Sequence, residues 1–502
     1  MSVFKHLPLG QRIPASLHGV SASLPTMRDV IGYEEKDPEI TRHLTSGYPR
    51  FVVHPFAKQA GAHLLRTLDL DGHAIWLTSS IRAAEQLRLH LGEPAALLPA
   101  EAALTGVTFP ADPTLSARAK TFLQHTGMFL SSREAEDYLL RVGELPAEQA
   151  EDEKSFEGYA PANVKGHLAR FYQHASAADV FLATSGMNAL AATFRVASDL
   201  QRPRGRTRWL QLGWLYLDTI ALLQKFTDAP ETDYLFQYDV FDLAALETLF
   251  AEQGDHIAGV ITEVPTNPLI QTPDLAAIAD LCRAHGVLLV VDPTIASPLN
   301  IDVLPHADVV ANSLTKYTAS EGDVMLGAVV VSPRSPHAAA FRERLPGALE
   351  PVYSRDVSRL ACQIGDTAAL IAQINRTAPA VVEFLRTHPR IKELYWSLHP
   401  TSRENYLKIA RLPGAVGSMI SFVVDGPVAP FYDRLRLPKG PSFGMKTTLI
   451  CPFIYLAHYD LVTSKSGRAT LAAAGLHPEL LRLSIGAEPA EEIIAALAEA
   501  LG

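Results

Sequence analysis

The sequence predicts an α/β protein: a mainly parallel sheet wrapped by helices, followed by a smaller α+β domain. Three observations carry this. Between residues 163 and 292, short apolar strands alternate with helices of about 12 residues, the order that a parallel sheet with helical crossovers requires. The strands in GVITEV and VLLVVD are rich in Val, Ile and Leu without polar alternation, as burial on both faces demands. After Pro333 the pattern changes to long helices and then to separate strands.

In chain order, residues 1–60 are rich in Pro, Gly and His and show little periodicity. They read as an N-terminal arm with one short helix near 37–44. Such an arm either crosses to a neighbouring subunit or wraps its own surface. Residues 61–160 read as an α/β extension and helical linker. GHAIWLTSS is a strand, and IRAAEQLRLHLG is a helix closed by Gly92. TLSARAKTFLQHTG and SSREAEDYLLRVG are helices, the second capped by Ser131 or Ser132. The acidic run 148–153 reads as a solvated linker face.

Residues 161–335 hold the regular alternation. ADVFLATSG, RTRWLQLGWLYLDT, HIAGVITEVP, VLLVVD and ADVVANS supply strands, and VKGHLARFYQHA, MNALAATFRVASDL, FDLAALETLFAEQG and DLAAIADLCRAHG supply helices. Residues 336–502 form the closing domain. HAAAFRERLPGALE and LACQIGDTAALIAQINRTAPAVVEFLRTH are helical, the second as one long stretch. IKELYWS, SMISFVVDG and LRLSIGAE are strands, LICPF is a loop, and PAEEIIAALAEALG is the last helix.

Composition narrows the function. The chain has 502 residues, 48% hydrophobic and 20% charged, which is a soluble globular composition. A formal charge of −10 argues against non-specific nucleic acid binding and against an anionic membrane surface. No apolar run approaches the ~18 residues of a membrane span. The first residues carry no apolar segment of a secretory signal. Cys282, Cys362 and Cys451 are too far apart for a disulfide framework or a zinc site, so a reducing cytoplasm is expected.

In such a sheet, ligands bind at the carboxyl ends of the strands. ADVFLAT ends in Ser185-Gly186-Met187, at the start of a helix whose free amides suit an anion. GVITEV ends in Pro265-Thr266-Asn267-Pro268, and VLLVV ends in Asp292. A carboxylate there is costly unless it meets a cation or a donor. ADVVAN ends in Ser313, Thr315 and Lys316. Taken singly, each has an ordinary reading as a turn or a loop residue. Together they supply what pyridoxal 5'-phosphate needs: an anion cradle, a partner for the pyridinium nitrogen, and an amine for the aldehyde.

The segments ATSGMNAL, EVPTNPLIQTPDLAAIADLCRAHGVLLVVDPTIASPLN and ADVVANSLTKYTASEGDVMLGAVVV resemble the Cys/Met-metabolism class of pyridoxal-phosphate enzymes. SLPTMRDVIGYEE and SGYPRF are similar to the extended, fungal-type cystathionine γ-synthases. The resemblance implies the aspartate aminotransferase-like, type I transferase fold with a seven-stranded sheet. It implies Lys316 as the Schiff-base lysine and proton carrier, and Asp292 as the partner of the pyridine nitrogen. Ser185, Gly186, Met187, Ser313 and Thr315 would hold the phosphate, and Asn267 would touch the ring hydroxyl. Tyr216 would stack on the ring, and Arg482, with Ser442, would hold the substrate carboxylate. The family's Tyr-x-Arg pair is not in its usual place. Tyr159 stands there without its arginine, and Tyr48-Pro49-Arg50 has the spacing far upstream. LICPF also lacks the histidine usual in that segment.

The function implied is γ-replacement, in which an O-acylhomoserine and cysteine give cystathionine. Alternatives are a γ- or β-lyase, an O-acylhomoserine sulfhydrylase, or a catalytically silent binding or regulatory protein. The intact Lys316 and Asp292 argue against the silent reading. Small amino-acid substrates, no nucleic acid, no membrane, and a homodimer or homotetramer with a shared site are the expected partners.

Overall fold

The computed structural model describes residues 4–48 and 52–502. At its centre is a seven-stranded sheet. In chain order the strands are β1 (Val180–Ala183), β2 (Arg208–Leu212), β3 (Tyr234–Gln237), β4 (Ile257–Glu263), β5 (Leu288–Asp292), β6 (Val309–Ser313) and β7 (Gly327–Val331). They lie in the order β1-β7-β6-β5-β4-β2-β3. Only β7 runs against the others. The carboxyl ends of β1, β6, β5 and β4 therefore share one edge. β4 is buried at every position, in keeping with its apolar run from Ile257 to Ile261.

Tyr234–Gln237 was not legible as a strand. It lies at the sheet edge with every side chain half-buried, so only the short run Tyr-Leu-Phe marks it. The helix Leu275–His285 shows how the crossovers are bounded. Asp274 accepts from the Ala277 amide at its start, and Gly286 closes it at φ 64°.

The closing domain has a four-stranded antiparallel sheet of β8 (Ile391–Tyr395), β9 (Met419–Val424), β10 (Leu449–Pro452) and β11 (Leu481–Ser484), ordered β8-β9-β11-β10. The segment LICPF, read above as a loop, is thus strand β10. Its proline is tolerated because β10 lies at an edge. The long helical stretch is broken by a tight turn at Ile364–Asp366, between helices Ser354–Gln363 and Thr367–Thr387.

The extension holds a three-stranded antiparallel sheet, with Gly106–Pro110 between His73–Leu77 and Ala96–Leu97. Of these, only His73–Leu77 was read from the sequence. Helix Pro113–Thr126 starts on Asp112, and helix Ser132–Arg141 starts on Ser131. In the arm, the helix expected near 37–44 spans only Pro38–Thr41. Another, Met27–Glu34, precedes it behind a Thr26–Asp29 capping box.

The acidic run is not simply solvated. Glu148 and Asp152 are exposed, but Glu153 reaches Arg133 at 2.8 Å and Arg355 at 2.9 Å. Glu151 accepts from the Leu17 amide at 2.7 Å, which ties the linker to the arm. The sequence hides this because the partner arginines lie in distant helices. Arg133 is 1% exposed and also meets Asp356 at 3.1 Å. Removing one member of a buried ionic cluster leaves its partners charged and unpaired. Arg133→Met is therefore expected to lower unfolding stability by about 3–5 kcal/mol in urea denaturation. A loss below about 1 kcal/mol would show that the cluster is only a surface feature.

Candidate active site

The strand ends converge on one pocket. Ser185 caps helix Gly186–Gln201, its hydroxyl accepting from the Asn188 amide at 3.0 Å. The amides of this first turn have no carbonyl partner within the helix. Gly186 sits so close to Ser313 that an added Cβ would come within 2.9 Å of the serine Cβ. Glycine thus lets the helix start meet the loop after β6. Ser185, Gly186, Met187, Ser313, Thr315 and Lys316 all line the pocket. The Thr315 hydroxyl, however, is already engaged with the Leu326 backbone, accepting at 3.2 Å and donating at 3.3 Å.

Asp292 ends β5. Its Oδ1 accepts from the Thr294 amide at 2.8 Å and from the Thr294 hydroxyl. The same hydroxyl accepts from the Ser313 amide at 3.0 Å, so one threonine ties the carboxylate to the lysine loop. Asp292 is half-buried and lines the pocket, and the surrounding protein desolvates it. Burial pushes its carboxyl up to about 6, against the Thr294 hydrogen bonds and the nearby Lys316 charge.

Lys316 Nζ donates to the Tyr48 hydroxyl at 2.5 Å, and the Tyr48 hydroxyl meets Ser442 Oγ at 2.7 Å. The arm therefore reaches the site within its own chain. Of the two candidate tyrosines, Tyr48 is in the pocket wall. Tyr159 is 75% exposed at the start of another helix. Arg50 lies outside the described residues.

Arg482, on β11, is 7% exposed and donates to Asn267 Oδ1 at 3.0 Å and to the Ser442 carbonyl at 3.4 Å. Its guanidinium carbon lies 4.5 Å from the Phe453 ring centre and 5.3 Å from that of Phe443. Ser442 sits at φ 125°, a strained conformation for a non-glycine residue, which aims its carbonyl at Arg482. Tyr216 is in the wall at the start of helix Leu217–Phe226.

Sequence reading missed Glu263. It ends β4 directly opposite Asp292, is 4% exposed, and accepts from the Tyr216 amide at 2.5 Å. Burial and the Asp292 charge hold its carboxyl well above the usual range, and Arg482 only partly offsets them. The rule that singled out Asp292, a carboxylate at the end of an apolar strand, marks Glu263 equally. Gln124 and Phe129 of the extension also line the pocket, with no sequence signal to find them.

The residues present fit pyridoxal 5'-phosphate. Asp292 is a desolvated carboxylate whose side-chain hydrogen bonds, among the described residues, come only from neutral Thr294, so a ring-nitrogen cation would complete it. The helix start at Gly186 and the Ser313 loop could take the phosphate, and the Lys316 amine stands within the same walls.

A family profile described as Cys/Met metabolism PLP-dependent enzyme matches residues 163–502. The chain belongs to this family. It is a pyridoxal-phosphate enzyme, of a class that performs γ-elimination or γ-replacement on amino acids. It is 41% identical over 483 residues to L-2-amino-4-chloropent-4-enoate dechlorinase/desaturase of Streptantibioticus cattleyicolor, covering 96% of this chain and 95% of that one. It is 27% identical to cystathionine gamma-synthase of Neurospora crassa, with 98% of each chain covered. Cystathionine gamma-lyase of Lactobacillus plantarum, solved with L-serine, superposes with a TM-score of 0.57 at 24% identity, over 68% of this chain and 86% of that one. That likeness establishes the fold.

The Asp292 carboxyl gives the apoprotein a pH signature. Its folded-state pKa lies above the unfolded value of 3.8. The folded protein therefore binds this proton more tightly than the unfolded chain. Its contribution to stability is present below about 4 and is lost as pH rises through about 6. Apo Asp292→Asn is expected to melt higher than apo wild type at pH 7.5, with a flatter slope between pH 4 and 6. Equal melting curves would exclude a desolvated carboxylate at this position.

Proposed function

We propose that this enzyme catalyses γ-elimination on a short 2-amino acid that carries a small leaving group, such as chloride, on C4 and has an uncharged tail. One observation carries the choice of elimination over replacement. Among the described residues, the pocket wall has two cationic side chains, Lys316 and Arg482. Lys316 is taken up by proton transfer, which leaves one cation for one carboxylate. Joining cysteine to an O-acylhomoserine brings at least two carboxylates into the site. Phe453, Leu456, Ala457 and Phe129 give the outer wall apolar surface, and its polar members Gln124, Asp218 and Thr219 add no cation. The 41% identical relative, named for dechlorinating an amino acid at C4, supports the same reading.

When bound, pyridoxal 5'-phosphate supplies the aldehyde that takes up the substrate amine and the protonated ring that absorbs electrons from Cα. Asp292 would hold the ring nitrogen, Tyr216 the ring face, and Asn267 the ring hydroxyl. Ser185, Gly186, Met187, Ser313 and Thr315 would surround the phosphate. Arg482, held by Asn267 and the Ser442 carbonyl, would clamp the substrate carboxylate. Lys316 would take the Cα proton and then move a proton from Cβ as the leaving group departs from Cγ with its bonding electrons. The Tyr48 hydroxyl, 2.5 Å from Lys316 Nζ, would steady the amine between these transfers. A homodimer or homotetramer in the cytoplasm belongs to the same proposal.

The second reading is γ-replacement with cysteine to form cystathionine, favoured by the 27% identical Neurospora crassa synthase. Product analysis separates the two. Incubation with L-2-amino-4-chloropent-4-enoate is expected to release chloride, and O-succinylhomoserine plus cysteine is expected to give little cystathionine. The reverse pattern would overturn elimination. Arg482→Lys is expected to raise KM by about 10- to 100-fold, because a point charge replaces a bidentate fork. An unchanged KM would remove Arg482 from the carboxylate site.

A further inference from the structure

Glu263 is a buried carboxylate of the pocket wall with no part in the proposal above, and unlike Asp218, which Gln124 holds at 2.7 Å, it stands beside Asp292. β4 and β5 are parallel and in register, with Glu263 beside Asp292. In-register residues of neighbouring strands lie about 4.8 Å apart and project to the same face. Two carboxylates held that way in a desolvated pocket cannot both be ionised. The charged groups facing them are Lys316, from the loop after β6, and Arg482, from β11. Both are already engaged, Lys316 with the Tyr48 hydroxyl and Arg482 with Asn267 and the Ser442 carbonyl. Neither makes a hydrogen bond to Glu263 or Asp292 among the described residues. The pair therefore carries one proton between them.

The hydrogen bonds assign it. Asp292 accepts two bonds from Thr294, which stabilise its charged form. Glu263 accepts one, from the Tyr216 amide, and has no other partner among the described residues. We propose that Glu263 is a neutral carboxylic acid that keeps Asp292 ionised and fixes Tyr216. It is a positioning residue. One negative charge then faces one ring-nitrogen cation, and the pocket gains no unmatched anion. The anchored amide sets where the Tyr216 chain enters its helix, and with it the ring that stands over the site. This rests on the reading that Asp292 takes the ring nitrogen, but the protonation of Glu263 does not depend on the substrate.

Infrared difference spectroscopy tests this directly on the apoprotein. The C=O stretch of a protonated carboxylic acid is expected at pH 7.5, to vanish in Glu263→Gln, and to persist in Asp292→Asn. Glu263→Gln keeps a neutral group of the same shape, so cofactor affinity is expected to stay within about threefold of wild type. Glu263→Ala leaves the Tyr216 amide without its acceptor and is expected to weaken the cofactor by roughly 10- to 100-fold. The absence of a protonated band, or a Glu263→Gln variant that loses cofactor as severely as Asp292→Asn, would overturn the proposal. If Glu263→Ala does not fold, the band and the glutamine variant decide. A failure to find chloride release would bear on the elimination reading and leave the infrared result intact.

Discussion

The site depends on a carboxylate that has no bonded cation among the described residues. Asp292 sits at the end of an apolar strand, its carboxylate hydrogen-bonded, among the described residues, only by Thr294. Burying such a group costs free energy unless a cation completes it. The apoprotein therefore carries a cost at neutral pH that a bound pyridinium removes. Thr294 spans from this carboxylate to the Ser313 amide, so the group that needs the cation and the loop bearing Lys316 move as one. The parallel register then places Glu263 beside Asp292, and Glu263 holds the Tyr216 amide.

The second sheet supplies what the first lacks. Arg482 reaches the pocket from β11, stacked against Phe443 and Phe453 and anchored on Asn267 in the turn after β4. That bond joins the second sheet to the loop that follows β4, so the placement of the two domains sets the position of the arginine. Arginine suits this role because its planar fork bonds at fixed angles while its faces pack on rings. The strained backbone at Ser442 serves the same contact. The arm closes the site from a third direction through Tyr48.

Much of this was legible because it follows from strand ends. Asp292, Lys316, Gly186 and Asn267 stand where apolar runs stop, and a parallel sheet brings such stops to one edge. Two edge elements were hidden. Tyr234–Gln237 and Leu449–Pro452 carry no long apolar run, because an edge strand is only half enclosed or tolerates a proline. Contacts between distant segments were hidden as well. Nothing near Glu153 announces Arg133, and nothing near Tyr48 announces Lys316, since neither pairing has a sequence spacing to read. Glu263 is different. It obeyed the rule applied to Asp292, and the proline-rich turn after it drew attention to Asn267 instead.

The central claim is that Lys316 is the amine that holds the cofactor, with Asp292 opposite. Borohydride reduction of the holoenzyme followed by peptide mass mapping tests this most directly. The account predicts one reduced pyridoxyl phosphate adduct, on the peptide that carries Lys316. An adduct on another lysine, or none on a protein that retains its cofactor, would contradict it.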